Sequence, residues 1–417
     1  MTNTTTTGRE AWIIDGVRTP RGKGKPTGSL HHIHPQELLA HCLNALVERT
    51  GVDPAGVEDV IVGNGNSAGD QDHCIGRLSV LAAGWPVEIP GFTLNRFCGS
   101  GQTAVSLAAM GVLSRMQDLV VGGGVESMSR WPVEEGAPPT LDGHNPALRE
   151  RHPTVPQGVS ADLIASLEGF SREQCDELAV LSQERAAKAI AEGRFERTVV
   201  PVCDADGTVV LDHEEHPRPG TTVEGLAKLP ASFEAMAQHG FPGFDETFDE
   251  MCLRTYPQLD RVDHVHHAGN SSGVVDGASA LLIASSDYAR AHGLTPRARI
   301  RMSAVAGSEP VVMLTAPAPA SRKCLERAGM TVDDIDVWEI NEAFASVVLR
   351  AVRELDLDLD KVNPNGGAMA LGHPIGATGG ILLQTALDEL ERSDGETALV
   401  TMCTGGGMGT ATILERI

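Results

Sequence analysis

Four side chains stand where their neighbours suit them to chemistry: Cys98, His373, Cys403 and Asn341. Cys98 ends an apolar run at 92–97 that reads as a strand, and it precedes Gly99-Ser100-Gly101 and a helix-like stretch at 99–116. A thiol at a strand-to-helix junction meets unpaired N–H groups and the positive end of the helix dipole, and both favour the thiolate. Cys403 ends another apolar run, and the backbone N–H groups of Gly405, Gly406 and Gly407 behind it can stabilise an oxyanion. His373 lies in NPNGGAMALGHPIGATGG (363–380), where Pro374 stiffens the chain and the run 381–390 reads as a helix. Glycine-rich backbone of this kind can approach a ligand closely. The three side chains form a Cys–His–Cys set: a thiolate nucleophile, an imidazole base and a second thiol as acid/base partner. Asn341, closing the strand VWEIN, can orient a water or donate to an oxyanion, although a lone Asn there is also an ordinary turn former.

Other patterns carry less. GNSSG at 269–273 has the spacing of a hydrolase nucleophile elbow, but DHVHHA precedes it where a buried strand is needed. The histidines at 31–34 and 264–267 have no carboxylate or cysteine at metal-ligand spacing beside them, so they read as solvated or locally bonded. Residues 16–23 lack the spacing of a P-loop. The eight cysteines are scattered without a CxxC pair, which points to reduced thiols rather than disulfides or zinc. A formal charge of −23 argues against nucleic acid, and an anionic ligand would need a local basic patch. No run reaches the length of a membrane span. The N-terminal MTNTTTTGRE has neither the apolar core of a signal peptide nor the Arg-rich look of a transit peptide, so a cytoplasmic location is expected.

At 417 residues the chain has room for two or three domains, or for two large fused halves. Apparent strands at 11–15, 59–63, 92–97 and 119–122 alternate with helical stretches at 35–50, 77–83 and 99–116, which implies a parallel α/β sheet. The middle differs. It is rich in proline and acidic residues, with one long helix at 171–192 and a polar, irregular stretch at 226–267 that would cover one face. The αβ rhythm resumes at Gly273, whose small residues read as a helix through Ala284. A faint repeat runs through the chain: 51–64 echoes 329–341, 93–101 echoes 361–369, and LVVGGGVES echoes LVTMCTGGGMG. Two similar α/β halves would aim their strand C-termini at a common crevice.

Read together, these turns resemble the thiolase family. NRFCGSGQTAV is similar to its nucleophile segment, INEAFAS (340–346) to its Asn-Glu-Ala-Phe motif, GHPIGATGG (372–380) to its His motif and CTGGGMG (403–409) to its second-cysteine motif. VGGGVESMSR and AGNSSGVVDGA match as well, and the resemblance is nearest to the bacterial β-oxidation 3-ketoacyl-CoA thiolases. It implies an α/β thiolase-like fold with two similar halves in five layers, αβαβα, plus a covering loop domain. The halves would be 8–127, completed by about 275–295, and 296–417, with 128–274 as the cover. It also implies roles. Cys98 would take the acyl group, His373 would activate it, and Cys403 would serve as the acid/base at the acetyl-CoA α-carbon. Asn341 would position an oxyanion-hole water with His373, and the N–H groups of Cys98 and Gly405 would form a second oxyanion hole. Ser272 would touch the pantetheine arm of coenzyme A, Arg218 and Lys228 its anionic nucleotide end, and Phe233, Met313 and Phe344 would line the acyl or pantetheine pocket. Coenzyme A would be a substrate, with no metal or redox cofactor needed. The resemblance further implies a homodimer or homotetramer and a hydratase/dehydrogenase partner subunit. The chain departs from the biosynthetic acetoacetyl-CoA thiolases at Pro156-Gln157, where they carry His-Met, and in its longer 226–267 stretch. Both favour a broader or longer-chain 3-ketoacyl-CoA. The rivals are a biosynthetic acetyl-CoA acetyltransferase and a non-catalytic CoA- or lipid-binding relative.

Overall fold

The computed structural model describes residues 8–131, 141–242 and 244–417. Residues 1–7 of the N-terminal stretch and 132–140 of the expected cover lie outside the described residues. In chain order the strands are β1 (Ala11–Arg18), β2 (Gly22–Lys23), β3 (Asp59–Gly63), β4 (Phe92–Leu94), β5 (Leu119–Ser127), β6 (Val202–Cys203), β7 (Val209–Leu211), β8 (Val275–Ser285), β9 (Ala298–Gly307), β10 (Val337–Ile340), β11 (Thr397–Thr404) and β12 (Met408–Arg416). They pair in the order β10-β11-β12-β9-β1-β8-β5-β3-β4, with β2 against β8 and β6 against β7.

β1 meets β9 through two residue pairs, Trp12 with Arg299 and Ile13 with Ala298, so the path divides there into two halves. Helices Ser100–Leu113 and Ile375–Ser393 pack on each other between the halves, on β5 and β11 respectively. The core they share includes Ile13, Val105, Leu281, Leu383 and Val400. Outside, helix Pro35–Thr50 covers β1 and β8, and helix Pro317–Ala328 covers β9 and β12. The result is the five-layer αβαβα stack, built on aliphatic residues because aromatics make up 4 % of the chain.

Two expectations fail. The sheet is mixed rather than parallel: β3–β4, β3–β5 and β10–β11 are parallel, but β1–β8, β5–β8, β9–β12 and β11–β12 are antiparallel. In addition, the stretch expected as a helix through Ala284 is β8. All eleven of its residues are buried, with β1 on one side and β5 on the other. A strand covered on both faces loses its two-residue alternation, and a run of small apolar residues then looks helical.

The repeated glycine triplets also diverge. Glycines 122–124 stay within β5, where a Cβ on Gly122 would stand 2.8 Å from the Val105 Cα, so their smallness lets a central helix lie on the sheet. Glycines 405–407 instead turn the β11–β12 hairpin, with φ of 75° at Gly406 and 76° at Gly407. The glycines after His373 have a similar packing use. The helix begins at Ile375, and a Cβ on Gly379 would fall 2.0 Å from the Gln102 N. Those glycines bring the two central helices together, which corrects the expectation that they open the backbone to a ligand.

The middle segment adds helices Gln157–Glu168 and Arg172–Ala191 and short helical turns, including Phe248–Thr255, within the stretch read as irregular. Its histidines are locally bonded, as expected. The ring of His264 lies 2.8 Å from Asp162 and 3.2 Å from Asp249, His266 lies 2.7 Å from Asp162, and His267 lies 2.7 Å from Asp176. These bonds tie the strap at 262–272 to the two long helices of the segment. Burial alone would lower the His264 pKa, but Asp162 and Asp249 outweigh it and hold it at about 10. A pKa raised on folding stabilises fully below the unfolded value, and the benefit fades as pH climbs through the folded one. His264→Gln should therefore lower Tm by several degrees near pH 6, with the gap to wild type closing above about pH 10. Thermal melts at both ends check this, and an equal loss at both would contradict it.

Candidate active site

The Cys98 turn is built by short-range bonds. The Asn95 side chain accepts from the Phe97 N–H at 2.7 Å, and the Ser100 hydroxyl donates to the Phe97 carbonyl at 2.6 Å while accepting from the Arg96 N–H at 2.8 Å. Phe97 is held at φ 48°, a left-handed conformation that a bulky residue adopts at a cost of roughly 1–3 kcal/mol. This turn presents Cys98 inward, 4 % exposed. Three N–H groups lie close enough to favour its thiolate: the Gly405 N–H, its own N–H and the Gln157 carboxamide. Gly405 arrives on the β11–β12 hairpin, so turns from the two halves converge on one thiol. Cys403, fully buried at the base of that hairpin, is close enough for the charge of Cys98 to raise its pKa.

His373 is pinned by its N–H donating to the Gly273 carbonyl at 2.9 Å. Its Nδ1 lies 2.6 Å from the Thr378 Oγ1, and that hydroxyl spends its own proton on the Pro374 carbonyl at 2.8 Å. Thr378 can then only accept, so Nδ1 carries the hydrogen and Nε2 keeps its lone pair. The Asn341 Nδ2 faces Nε2 at 3.4 Å, a long contact that leaves the lone pair open to a better donor. The Asn341 Oδ1 is buried and finds no partner in the protein. Glu126 accepts from the Gly376 N–H at 2.8 Å and the Gly65 N–H at 2.7 Å, fixing the start of the His373-bearing helix against the first half.

Electrostatics here run against one expectation. Burial pushes the Cys98 thiol up to about 11; its three donors offset that only in part, and Glu126 adds to it. Cys403 lies well above its ordinary value, from burial first and Cys98 second. Burial, then the nearby Arg21, pulls His373 down to about 3. The resting pair is therefore a neutral thiol and a neutral imidazole, because desolvation outweighs the helix dipole. Enzyme acylation should consequently stay level, within about two-fold, from about pH 5.5 to 8. Rapid-quench rates across that range check this; a fall below about pH 6.5 with unit slope would contradict it.

The other expected residues fall in two groups. The Ser272 N–H donates to the Ala343 carbonyl at 2.9 Å, and Ser271 bridges to Phe344. Phe344 packs edge-on against Phe233 at 5.8 Å and against His266 at 5.6 Å. Both phenylalanines and the buried Met313 belong to the apolar cluster that contains Cys403. Arg218 lies apart from these, in a surface cleft with Gln183, His216, Thr221, Gly269 and Met369. Lys228 is exposed and outside that lining, between the lining residues Leu226 and Leu229.

Residues 11–238 match the thiolase N-terminal domain and residues 294–416 the thiolase C-terminal domain. The chain belongs to the thiolase family. Among similar proteins, the β-ketoadipyl-CoA thiolase of Pseudomonas aeruginosa is 41 % identical over 98 % of this chain and 100 % of its own length. The steroid 3-ketoacyl-CoA thiolase FadA6 of Mycobacterium tuberculosis is 41 % identical over 98 % and 94 %. Two solved structures, human mitochondrial 3-ketoacyl-CoA thiolase and the acetyl-CoA acetyltransferase of Bacillus anthracis, each superpose with a TM-score of 0.82 at 34 % identity, over 98 % of this chain and 99 % of theirs. Thiolases are acyltransferases that take coenzyme A as substrate and need no separate cofactor. Among the described residues no helix is long and apolar enough to cross a membrane.

Three residues of this thiolase site carried no role in the sequence reading. Thr378 fixes the imidazole tautomer, and its place five residues after His373, in the first turn of a helix, is a readable signal. Glu126 and Gln157 come from distant segments, and nothing in the sequence brings either to Cys98.

Proposed function

We infer that this thiolase cleaves 3-ketoacyl-CoA with coenzyme A to acyl-CoA and acetyl-CoA, reversibly, by a ping-pong route through acyl-Cys98. The observation that carries this reading is the meeting of turns from both halves around the Cys98 thiol, together with a His373 imidazole whose Nε2 is free to accept a proton. Nε2 of His373 takes the thiol proton as Cys98 attacks the 3-keto carbon. The alkoxide collapses, the C2–C3 bond breaks, and the acetyl-CoA carbanion takes the proton of Cys403. The incoming coenzyme A thiol restores that proton to Cys403 and attacks the acyl-Cys98 thioester. The departing Cys98 sulfur recovers its proton from the imidazolium. Asn341, with an unpartnered carbonyl oxygen, would position an oxyanion-hole water with His373, and the N–H groups of Cys98 and Gly405 would hold the other oxyanion.

In this reading Ser272 and the Arg218 cleft hold the pantetheine arm and nucleotide end of coenzyme A, with Lys228 on the rim. Phe233, Phe344 and Met313 wall the acyl side. The relatives' names, taken with Gln157, favour an acyl group larger than acetyl, over the acetoacetyl-CoA preference of a biosynthetic enzyme. A cytoplasmic homodimer or homotetramer fits, with 128–274 as the cover and a hydratase/dehydrogenase subunit as candidate partner. The exposed edge strand β4, with Phe92, and the exposed Met110 and Leu113 support self-association. A substrate panel tests the specificity. Linear, dicarboxylic and bulky 3-ketoacyl-CoAs should include at least one cleaved about ten-fold faster than acetoacetyl-CoA, as expected when a pocket binds several extra methylenes. A panel in which acetoacetyl-CoA is fastest would return the biosynthetic reading.

A further inference from the structure

Gln157 opens helix Gln157–Glu168, and that helix is firmly seated. The Ser160 hydroxyl donates to the Val311 carbonyl at 2.7 Å, and a Cβ on Gly158 would fall 2.3 Å from the Phe233 ring. Its carboxamide nitrogen lies 3.5 Å from the place a Gly405 Cβ would occupy, so the amide rests against the very residue whose N–H meets Cys98. That amide is also close enough to the Cys98 thiol to favour its thiolate. Three elements distant in sequence thus meet around one thiol: the Cys98 turn, whose Phe97 ring would lie 3.3 Å from a Gly405 Cβ, the β11–β12 hairpin and the first residue of a covering helix. The titratable groups that act on this thiol or feel its charge are Glu126 from β5 and Cys403 from β11. A carboxamide has no titration of its own, so its N–H is available at every pH.

We propose that Gln157 is a catalytic residue whose carboxamide N–H, paired with the Gly405 N–H, cradles the Cys98 sulfur and stabilises its thiolate as the acyl group arrives and leaves. This rests on the reading of Cys98 as the nucleophile. A donor to a developing thiolate is stronger than one to a neutral thiol, so the contact favours the transition state over the resting state. Both donors already face the neutral thiol, and their hold strengthens as the sulfur gains negative charge. Once acylated, it releases the Gln157 N–H toward the acyl thioester.

The test is alkylation of Cys98 by iodoacetamide, followed on its own peptide by mass spectrometry from pH 6.5 to 10. Gln157→Met keeps the length and removes the donor. Gln157→Glu keeps the shape and turns a carboxylate toward the sulfur, so the second variant decides the matter if the first folds poorly. Gln157→Met should slow Cys98 alkylation near pH 8 about ten-fold and move its rise with pH upward by about one unit, the effect of losing one hydrogen bond to a charged group. Gln157→Glu should slow it further, with thermal midpoints close to wild type for both. Wild-type alkylation profiles in folded variants would overturn the proposal. Acylation of wild-type Cys98 by acyl-CoA decides the underlying reading separately. Acylation with unchanged alkylation profiles sinks the Gln157 role alone, whereas a Cys98 that never acylates sinks the nucleophile assignment.

Discussion

Cys98→Ala should leave a folded protein in which acyl transfer is lost by about 10⁴-fold or more, as expected when a covalent nucleophile is removed. The loss should extend to every step that passes through the acyl-enzyme, including exchange of label between acyl-CoA and free coenzyme A. Folding should survive the change. The thiol is small, its turn is held by Asn95 and Ser100 rather than by the sulfur, and alanine keeps the Cβ. Thermal melts and exchange assays together check this. A variant that folds and retains more than about a tenth of the exchange rate would mean that the acyl group travels by another route.

Cys403→Ala should separate the two chemistries. In the proposed route this thiol gives its proton to the carbanion released when the C2–C3 bond breaks and recovers it from the incoming coenzyme A thiol. Cleavage and condensation should therefore fall by about 10²–10⁴-fold, the usual worth of a positioned acid/base. Acylation of Cys98 by acyl-CoA should fall far less, within about ten-fold, because a coenzyme A thiolate, unlike the carbanion, is a stable leaving group that can depart without the Cys403 proton. The acyl-enzyme should then accumulate. Single-turnover acylation measured beside steady-state cleavage checks the split. An equal loss in both would move Cys403 from the carbon–carbon step into the acyl-transfer step. The neutral resting state sharpens this expectation. With burial holding both thiols up and His373 down, no proton is released until substrate arrives, so each variant removes one identifiable transfer.

Much of the site was legible in the sequence because its parts sit at ends of elements, where residue type speaks most clearly. Cys98 and Cys403 each close an apolar run against glycines, Pro374 fixes the chain after His373, and Asn341 closes a short buried strand. The doubling of the fold was legible too, since short acidic turns followed by buried strands recur at 51–64 and 329–341 and form matching structures around β3 and β10. What the sequence hid depends on burial and on distant partners. β8 looked helical because covering on both faces erased its alternation. The thiolate expected from the helix dipole is a thiol, because desolvation of a fully enclosed sulfur outweighs the dipole. The glycines after His373 looked like a ligand cradle, but the Ser100–Leu113 helix lies directly against them. Gln157 stood out as a departure from a related pattern, but its reach to Cys98 follows from the seating of a helix that local sequence does not report.

The central claim is that Cys98 carries the acyl group. The direct test is to incubate the purified protein with acetyl-CoA or a longer acyl-CoA, quench in acid and map the modified peptides by mass spectrometry. The account predicts one acyl group per chain, on the Cys98 peptide, removed again when free coenzyme A is added. A folded, active protein with Cys98 unmodified, or with the acyl group on another residue, would contradict it.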